Sequence, residues 1–403
     1  MRVIVVLPAA PHPFGDTAAR WFYVLLKDLL ARQFDVRCLV ISSEAPERLT
    51  QAQALLSEAG TPGRLQISHF EQRTSVGTVR RKLRSVLRPF SETATADGVR
   101  EALDRHMAAG YDILHLEQLW TGWLGLDVPR SLLNIHHFEI IDWEDRRNLS
   151  VAERKAHWQM TRATMHIVRH TSNMRMFTPR LTERAREINP AANYWTVPFA
   201  LDPGNYPEQP FVEDPVVGLF GSMHWHPSRS AGVRLLRDLW PRIKAQVPRA
   251  KLLVAGWNAR RYLAQHGAGP DIELIENLPK PTDFFSRAAV MLYAPSRGSG
   301  FKVKVLESMA YGVPVVTTWE GAEGIQYTQG EELFVEENDE ALVARAVTLL
   351  RDAALRRRMR AAARALVFDC YSPQPVMRSL LRVYEHMAES GSVASHAAAR
   401  STP

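Results

Sequence analysis

A glycine-rich turn followed by two lysines and a glutamate, in the stretch RGSGFKVKVLE, combines residue types that suit an anionic, hydroxylated ligand. Gly298 and Gly300 lie where a strand-like run gives way to a helical pattern, so backbone N–H groups and a helix N-terminus meet there. Lys302 and Lys304 fall in the predicted first turn, where the helix dipole disfavours cations unless an anion is close, and a diphosphate fits. Glu307, farther along the helix, can accept hydrogen bonds from a ribose diol.

The same residues also have an ordinary interpretation. Glycine-rich turns between a strand and a helix are common, and lysines or a glutamate on a helix usually face solvent. RGSGFK matches neither the phosphate-binding loop nor the dinucleotide fingerprint. The turn, the lysines, Glu307 and Gly312 as the predicted helix C-cap nevertheless occur together, and this combination favours a ligand site.

The composition sets limits on the class of protein. A chain of 403 residues, 46% hydrophobic and 23% charged, is long enough for two globular domains. Its two cysteines, Cys38 and Cys370, argue against a disulfide framework or a cysteine metal site. The N-terminal apolar run is too short for a signal peptide and no apolar run is long enough to span a membrane, so a cytoplasmic protein is expected. The formal charge of +7 favours an anionic partner.

Strand-like and helical segments alternate in two halves of the chain, which predicts an α/β protein with parallel sheets. The first half begins with a strand at RVIVVLP and continues with helical material from about residue 149 to residue 186. The alternation restarts after a proline-rich stretch, with one continuous helix predicted in SAGVRLLRDLWPRIKAQ. We therefore expect two doubly wound domains facing a central cleft, with ligands beyond the carboxyl ends of the strands. The predicted boundaries are a first domain at 1–200, a linker at 201–214, a second domain at 215–371 and a disordered tail at 391–403.

The second half carries the more specific resemblance to a known family. GSGFKVKVLESMAYGVPVVTT resembles the nucleotide-sugar motif of family 4-type retaining glycosyltransferases with the GT-B fold, in the bacterial exopolysaccharide-associated branch. HPFGDTAARWFYVLLKDLLARQFDVR, YDILHLEQ and NIHHFE are similar to parts of that family's N-terminal acceptor domain. YSPQPVMRSLLRVYEHM is similar to its C-terminal helix, which implies that residues 372–390 cross back onto the first domain.

The resemblance implies specific roles at the donor site. Glu307 would bind the ribose hydroxyls of a UDP or GDP sugar, the backbone of the GSGF turn would cradle sugar and phosphate oxygens, and Lys304, with Lys302, would neutralise the leaving diphosphate. Arg229 is the candidate for the basic pair that many members carry after the turn GSMHWHPSR. The expected donor-binding residues are Gly221, Ser222, Arg229, Gly298, Gly300, Phe301, Lys302 and Glu307, and the expected catalytic residues are His136, Ser299 and Lys304.

Ser299 departs from the family pattern. The family has two glutamates eight positions apart; the second corresponds to Glu307 and the first falls at Ser299. In the family that first glutamate contacts the transferred sugar, and serine can still donate a hydrogen bond but carries no charge. A protein that binds a nucleotide sugar or glycan without turnover is therefore the alternative to an active enzyme.

The predicted acceptor site lies in the first half. His136 and Glu139 match a His-x-x-Glu position at the end of a predicted strand, where a histidine can hydrogen-bond sugar or phosphate, although a packed or surface histidine would also fit. The N-terminal loop matches the family only in part, because a second glycine is usual where Asp16 stands. The residues expected to bind the acceptor are Gly15, Asp16, Arg20, His137 and Glu139.

The resemblance implies retention of configuration without a protein nucleophile. The sequence contains no Asp-x-Asp pair, so no metal or other cofactor is expected. His166 and His170 are spaced as metal ligands would be, but no third ligand is evident.

A basic amphipathic segment in the first half suggests a second kind of partner. In residues 76–90, VGTVRRKLRSVLRPF, apolar side chains fall on one helical face among basic ones. The segment is either a domain helix with a solvated charged face or a contact with an anionic membrane at its cytoplasmic side. Nucleic acid is a weaker candidate partner, because the basic residues are not interleaved with stacking aromatics.

Overall fold

The chain forms two compact α/β units in a computed structural model that describes residues 1–42, 46–58, 63–71, 98–144, 149–267, 269–278 and 280–400. The first unit comprises Met1–Ile140, Arg147–Ala200 and Pro373–Pro403, and the second comprises Ile141–Arg146 and Leu201–Ser372. Each unit is built on a parallel β-sheet with interleaved helices. The predicted α/β class with two doubly wound, Rossmann-like units is confirmed.

The described strands of the first unit are β1 (Arg2–Leu7), β2 (Asp35–Ser42), β3 (Leu65–Glu71), β4 (Ile113–Glu117), β5 (Ser131–Ile135), β6 (Asn173–Met176) and β7 (Asn193–Thr196). They form one sheet in the order β3-β2-β1-β4-β5-β6-β7, and every pair is parallel. β4 and β5 are buried along their whole length, as expected for strands covered by helices on both faces. Polar side chains on these two strands therefore have to find partners inside the protein.

Helices cover the first sheet. Those described are α1 (Thr17–Ala31), α2 (Pro46–Ser57), α3 (Val99–Ala108), α4 (Glu139–Asp142), α5 (Val151–His170) and α6 (Pro179–Ile188), with a 3₁₀ helix at Leu119–Gly125. Helix α5 begins with a capping box in which Ser150 and Glu153 exchange hydrogen bonds. Only the last two residues of α4, Ile141 and Asp142, belong to the second unit.

The described strands of the second unit are β8 (Val216–Phe220), β9 (Lys251–Ala255), β10 (Ile272–Ile275), β11 (Val290–Tyr293), β12 (Val315–Thr317) and β13 (Phe334–Val335). Their order is β10-β9-β8-β11-β12-β13, again with parallel pairs. The strand order reverses between β8 and β11. In open sheets of this kind the loops at such a reversal form the ligand crevice at the carboxyl edge.

The described helices of the second unit are α7 (His226–Arg234), α8 (Trp240–Gln246), α9 (Ala259–Leu263), α10 (Thr282–Phe285), α11 (Val303–Tyr311), α12 (Trp319–Ala322), α13 (Asp339–Arg351) and α14 (Ala353–Cys370). Short 3₁₀ helices occupy Pro203–Asn205 and Ala264–His266, and a π-helical turn occupies Leu235–Leu239. The last helix, α15 (Pro373–Arg400), belongs to the first unit and packs against α1 and β4.

Several local predictions were wrong. The helical stretch expected between residues 149 and 186 is interrupted by β6, a short strand that contains an arginine and two methionines. The helix expected in SAGVRLLRDLWPRIKAQ is present as a continuous helical run, which passes from α7 through the π-helical turn into α8. Pro241 lies at the start of α8, where its missing N–H would break an ordinary helical ladder. Strands β3, β7 and β10 are short and partly exposed, and their sequences carry little apolar pattern.

At the C-terminus, α15 continues to Arg400, whereas disorder was predicted from residue 391. The alanine-rich sequence of this stretch has high helix propensity. Segment 76–90, the predicted basic amphipathic helix, lies outside the described residues. In the part of the chain that the structure describes, no helix has the length and apolar character needed to cross a membrane.

Candidate functional site

Lys304 lies where the loops after β8 and β11 meet. Its Nζ contacts the hydroxyl of Ser228 and lies 4.8 Å from the ring centroid of Trp225 and 4.7 Å from that of Tyr293. A Cβ atom on Gly221 would lie 3.0 Å from this Nζ, so the ammonium is packed directly against the turn after β8. The two central strands of the sheet therefore deliver one cation, two aromatic faces and a hydroxyl to the same point.

The environment of Lys304 is unfavourable for a charge. Burial, followed by the neighbouring charge of Lys302, lowers the pKa of Lys304 to about 7, and Glu307 acts in the opposite direction. The residue as a whole is only partly buried, but its ammonium is enclosed by rings and a hydroxyl group. Near neutral pH this amine is poised between its two forms, and an anion placed beside it would favour the charged form.

Glu307 is buried within α11, one turn beyond Lys304. Only 3% of the residue is exposed, and the hydroxyl of Tyr206 donates to its Oε1 at 3.2 Å. The helix ends at Gly312, whose φ of 80° is the left-handed C-cap conformation predicted from the sequence. The structure therefore places the carboxylate of Glu307 one helical turn from Lys304, as the prediction of a site for a hydroxylated ligand requires.

The turn before α11 is shaped by contacts inside the protein. The N–H of Gly298 donates to Glu320 Oε2 at 3.2 Å, and a Cβ atom on Gly298 would lie 2.7 Å from Pro227 Cγ. Gly300 has a φ of +83°, which L side chains rarely adopt. Phe301 packs against the ring of Tyr371, with ring centroids 5.6 Å apart. These positions therefore require the residue types found there whether or not a ligand is bound.

Lys302 differs from its expected role. It is the N-cap residue of α11 rather than a member of the first turn. Its side chain is fully buried, and its Nζ donates to Gly300 O at 2.6 Å and pairs with Glu323 Oε2 at 3.3 Å. Because Glu323 already matches its charge, Lys302 supports the turn instead of facing a diphosphate.

Ser299 is held by a carboxylate from a distant part of the sequence. Both its N–H and its hydroxyl donate to Asp142 Oδ1, at 2.6 and 2.8 Å. Ser299 and Asp142 are 2% and 6% exposed. Nothing in the sequence links Asp142 to Ser299, because the two positions lie 157 residues apart.

The remaining predicted donor residues lie in or near the turn after β8. Gly221 has a φ of +154°, and its oxygen approaches so closely that a Cβ atom on Gly256 would lie 1.9 Å from it. The backbone oxygen of Ser222 accepts from Trp225 N at 3.3 Å. The guanidinium of Arg229 lies 4.9 Å from the ring centroid of Tyr262, and none of its described contacts involves Lys304.

In the first unit, the three residues of the predicted His-x-x-Glu position lie together. His136, His137 and Glu139 line a pocket after β5, and His137 Nε2 lies 3.8 Å from Glu139 Oε1. The other residues that line this pocket are Gln118, Leu119, Trp120, Met160 and Thr164.

His136 is hydrogen-bonded to a buried carboxylate, that of Glu117 at the end of β4. Glu117 accepts four hydrogen bonds: from His136 Nε2 at 2.6 Å, His115 Nε2 at 2.7 Å, Asn134 Nδ2 at 2.7 Å and Trp21 Nε1 at 2.8 Å. Glu117 is fully buried. Glu117 lies in the stretch YDILHLEQ. A single acidic residue at the end of an apolar strand pattern was not enough to predict a role for it.

Glu117 is ionised despite its burial. Burial opposes ionisation, but the charges and hydrogen bonds of His115 and His136 outweigh it and hold the pKa of Glu117 well below its usual range. Burial also lowers the pKa of His136, and Glu117 offsets this only in part. Nε2 of His136 donates to Glu117, and when the ring is neutral Nδ1 is an acceptor.

The same network extends to a buried arginine and to the C-terminal helix. Arg175 lies 4.2 Å from the ring centroid of Trp21, and burial lowers its pKa to about 9 against the opposing charge of Glu117. Tyr384 in α15 lies 2.5 Å from His115 Nδ1. Nε2 of His115 donates to Glu117, so when this ring is neutral the hydroxyl of Tyr384 donates to Nδ1.

The N-terminal loop residues have structural roles. Asp16 is the N-cap of α1, and its Oδ1 accepts from Ala19 N at 2.9 Å. A Cβ atom on Gly15 would lie 2.8 Å from Ala19 Cβ, and Arg20 Nε lies 3.5 Å from Asp16 O. None of these contacts brings the three residues to the pocket of His136 within the described part of the chain.

The described residues contain no group of three or more His, Cys, Asp or Glu side chains placed to hold a metal ion. The rings of His166 and His170 lie 4.6 Å apart, and His170 Nδ1 contacts His166 O at 2.8 Å.

Comparisons with known proteins give a family match for part of the chain. Residues 214–352 match the family model described as "Glycosyl transferases group 1". No curated protein sequence matches the chain.

Solved structures match nearly the whole chain. Sucrose-phosphate synthase from Thermosynechococcus elongatus is 15% identical with a TM-score of 0.69, covering 96% of this chain and 99% of that one. Anabaena HepE, solved with UDP and glucose, is 14% identical with a TM-score of 0.64 over 95% and 99% of the two chains. TarM of S. aureus, solved with fondaparinux, α-GlcNAc-glycerol and UDP, is 9% identical with a TM-score of 0.65 over 95% and 99%. At these identities the similarity is one of fold, and the chain has the GT-B fold with two Rossmann-like units.

Proposed function

We propose that the protein is a glycosyltransferase that moves a sugar from a nucleoside diphosphate to a glycan, lipid-linked or small-molecule acceptor with retention of configuration. The observation that carries the proposal is the cation at the reversal of the second sheet. Lys304 is enclosed by Trp225, Tyr293 and the Gly221 turn, and its pKa is lowered to about 7. The match of residues 214–352 to a glycosyltransferase family model supports it, as do the UDP complexes of HepE and TarM.

Each residue near this cation has a role in the proposal. The ammonium of Lys304 neutralises the diphosphate as it leaves, in an enclosed site where a charge is worth more than in water. Glu307 accepts hydrogen bonds from the ribose hydroxyls, and the hydroxyl of Tyr206 already orients its side chain for this contact. Lys302 and Glu323 keep the turn in shape without touching the ligand.

Retention follows if the acceptor attacks from the face that the nucleotide leaves. The bond from the anomeric carbon to the diphosphate breaks, a diphosphate oxygen takes the proton of the attacking hydroxyl, and the new glycosidic bond forms on the same face. No protein nucleophile is needed, so the protein contributes positioning and charge stabilisation. His136, with Nδ1 as an acceptor, would hydrogen-bond a hydroxyl of the ligand that occupies the pocket lined also by His137 and Glu139. In this proposal Lys304 supplies the positive charge, and transfer proceeds without a metal ion.

Calorimetry with UDP and GDP tests the donor site. The wild-type chain should bind one of the two, and Lys304→Met and Glu307→Ala should each weaken that binding by about tenfold or more, because each removes a charge-assisted contact. Lys244→Met, which removes a cation from the surface of the same unit, is the control and should bind like wild type. Absence of binding by the wild-type chain, or unchanged affinity in both variants, would contradict the proposal.

The serine at position 299 favours one alternative, a protein that binds a nucleotide sugar or glycan without turnover. A panel of UDP and GDP sugars with cell extract as the acceptor source, in the presence of EDTA, separates the two functions. A transferase releases nucleotide and forms a product that mass spectrometry detects, whereas a binding protein does neither. Activity that requires an added divalent ion would exclude the metal-free step.

The proposal also covers the acceptor and the cellular location of the protein. A lipid-linked acceptor would place the protein at the cytoplasmic face of a membrane, in the assembly of a polysaccharide. The basic apolar pattern of residues 76–90 supports this from the sequence alone. Flotation with anionic vesicles but not with neutral ones is the expected result, and equal recovery with both would count against membrane association.

A further inference from the structure

Two of the buried carboxylates around the turn at Ser299 have cationic partners. Glu320 lies 3.7 Å from a guanidinium nitrogen of Arg297. Glu323 lies 3.3 Å from Lys302 Nζ. Burying a carboxylate costs free energy, and a nearby cation offsets part of that cost.

Asp142 is buried at the same turn, but its hydrogen-bond partners are neutral. Its described hydrogen bonds come from the N–H and the hydroxyl of Ser299, at 2.6 and 2.8 Å, and both donors are neutral. Among the described residues, Asp142 takes part in no ion pair. Both hydrogen bonds go to Oδ1, so they fix the orientation of the carboxylate while Oδ2 can still accept from a ligand. A buried charge that is oriented but lacks a cation is expected where a ligand completes the site.

Asp142 and Lys304 are linked through two residues, since Ser299, which binds Asp142, precedes Lys304 by five positions and Tyr293 interacts with both. Lys304 Nζ lies 4.7 Å from the ring centroid of Tyr293. Burial first, and then the charge of Asp142, raise the pKa of that tyrosine, so Asp142 is within electrostatic reach of it. Lys304 therefore packs on the ring of Tyr293, and the charge of Asp142 acts on the same residue at the end of β11.

We propose that Asp142 recognises the transferred sugar by accepting hydrogen bonds from its hydroxyls, and that Ser299 is the positioning residue that holds the carboxylate in place. The inference rests on the proposed function. In a nucleotide sugar the sugar is bonded directly to the diphosphate, so a carboxylate close to the cation for the diphosphate faces sugar hydroxyls. Hydrogen bonds from hydroxyls to a carboxylate are charge-assisted and depend on which hydroxyls point toward it. Asp142 thereby determines which sugar is accepted.

Calorimetry that compares a nucleotide with its nucleotide sugars tests this role. The full chain is titrated with UDP, GDP and a panel of UDP and GDP sugars, and the tightest-binding sugar is then used for the variants. Asp142→Asn should bind the free nucleotide within about twofold of wild type but lose about tenfold in affinity for the nucleotide sugar, because only the sugar contact is charge-assisted. Ser299→Ala should also lower the affinity for the nucleotide sugar relative to that for the free nucleotide. The factor should be smaller, since the backbone N–H of residue 299 still donates to Asp142.

A neighbouring carboxylate provides the matched control. Glu144 lies two residues beyond Asp142 and contacts Arg297, with 40% of its side chain exposed. Glu144→Gln should leave the affinities for both ligands unchanged.

Three outcomes would overturn the inference: Asp142→Asn weakens nucleotide and nucleotide sugar equally, strengthens both, or changes neither. A wild-type chain that binds no nucleotide at all would instead contradict the proposed function, so the two failures are distinguishable. If Asp142→Asn does not fold, Ser299→Ala decides alone. A loss confined to the nucleotide sugar supports the role of Asp142, and an unchanged ratio of the two affinities excludes it.

Discussion

Each unit buries one charged side chain at the carboxyl edge of its sheet, and the surrounding residues stabilise the two charges to different degrees. Glu117 in the first unit accepts four hydrogen bonds from neighbouring side chains, and its pKa lies well below the usual range. Lys304 in the second unit has one hydroxyl contact and two aromatic faces, and its pKa is lowered to about 7. The first charge is fully compensated by the fold, and the second is compensated only in part. A fully compensated charge orients its neighbours, whereas a partly compensated one is suited to a ligand of opposite sign.

The largest expected effect is on the stability of the first unit. Glu117→Gln keeps the shape of the side chain but removes the charge and turns one acceptor into a donor that faces other donors. We expect a loss of roughly 3–5 kcal/mol in the free energy of unfolding, the range found when a buried charged network is broken. Urea denaturation followed by fluorescence measures it. Glu139→Gln, on a side chain 30% exposed, is the control and should change stability by less than about 0.5 kcal/mol. A Glu117→Gln variant as stable as wild type would show that the network is not needed to hold the charge.

The C-terminal helix should sense the same network to a smaller extent. Tyr384→Phe leaves the buried Nδ1 of His115 without its donor, which costs roughly 1–3 kcal/mol for an unsatisfied buried polar atom. Hydrogen exchange should increase in α15 more than in the helices of the second unit. Tyr262→Phe retains the ring beside Arg229 and serves as the matched control. Uniform loss of protection across both units would contradict a local anchoring role.

The overall fold and the motif turn could be predicted from the sequence, but the partners of individual charges could not. Runs of β-branched residues such as RVIVVL and the Gly312 cap are local signals, because the strand and the helix end depend on nearby residues. Lys302 and Lys304 are both lysines and lie two positions apart, so the sequence cannot distinguish their roles. In the structure Lys302 points toward Glu323, whereas Lys304 points toward the rings of Trp225 and Tyr293. Asp142 reaches Ser299 through folding of the chain, a contact that no local pattern encodes. For the same reason the donors of Glu117, which come from α1, β4, β5 and the loop after β5, were not foreseen.

In the second unit, removing the buried charge should have the opposite effect on stability. The folded pKa of Lys304, about 7, lies below its ordinary value of 10.5, so the unfolded chain holds a proton that the folded chain lacks between these pH values. Stability therefore rises with pH through this window, and the cost of burying the charge is fully present below pH 7. Lys304→Met should raise the free energy of unfolding by roughly 1–2 kcal/mol at pH 6, and most of the difference should disappear by pH 10.

Lys302→Met is the matched control for that experiment. It removes a lysine two residues away and breaks the buried ion pair with Glu323, so the free energy of unfolding should fall by about 3 kcal/mol. Denaturation curves at pH 6 and pH 10 for the two variants make the comparison. If Lys304→Met destabilised the protein at pH 6 as much as Lys302→Met does, Lys304 would be a structural cation like its neighbour.

The smallest effect that we predict, the pH dependence of ligand binding, compares the two sites most directly. A nucleotide sugar is the suitable probe, since both phosphates of its diphosphate are esterified and neither titrates near pH 7. As pH rises from 6 to 8, Lys304 passes through its pKa of about 7 and loses its charge, so affinity should fall by at most about tenfold. Lys304→Arg keeps a charge throughout and should flatten the profile. His136→Asn should keep the slope, because burial lowers the pKa of His136 below its ordinary value and so away from the window in which Lys304 titrates. A slope that disappears in His136→Asn and persists in Lys304→Arg would assign the titrating group to the first unit instead.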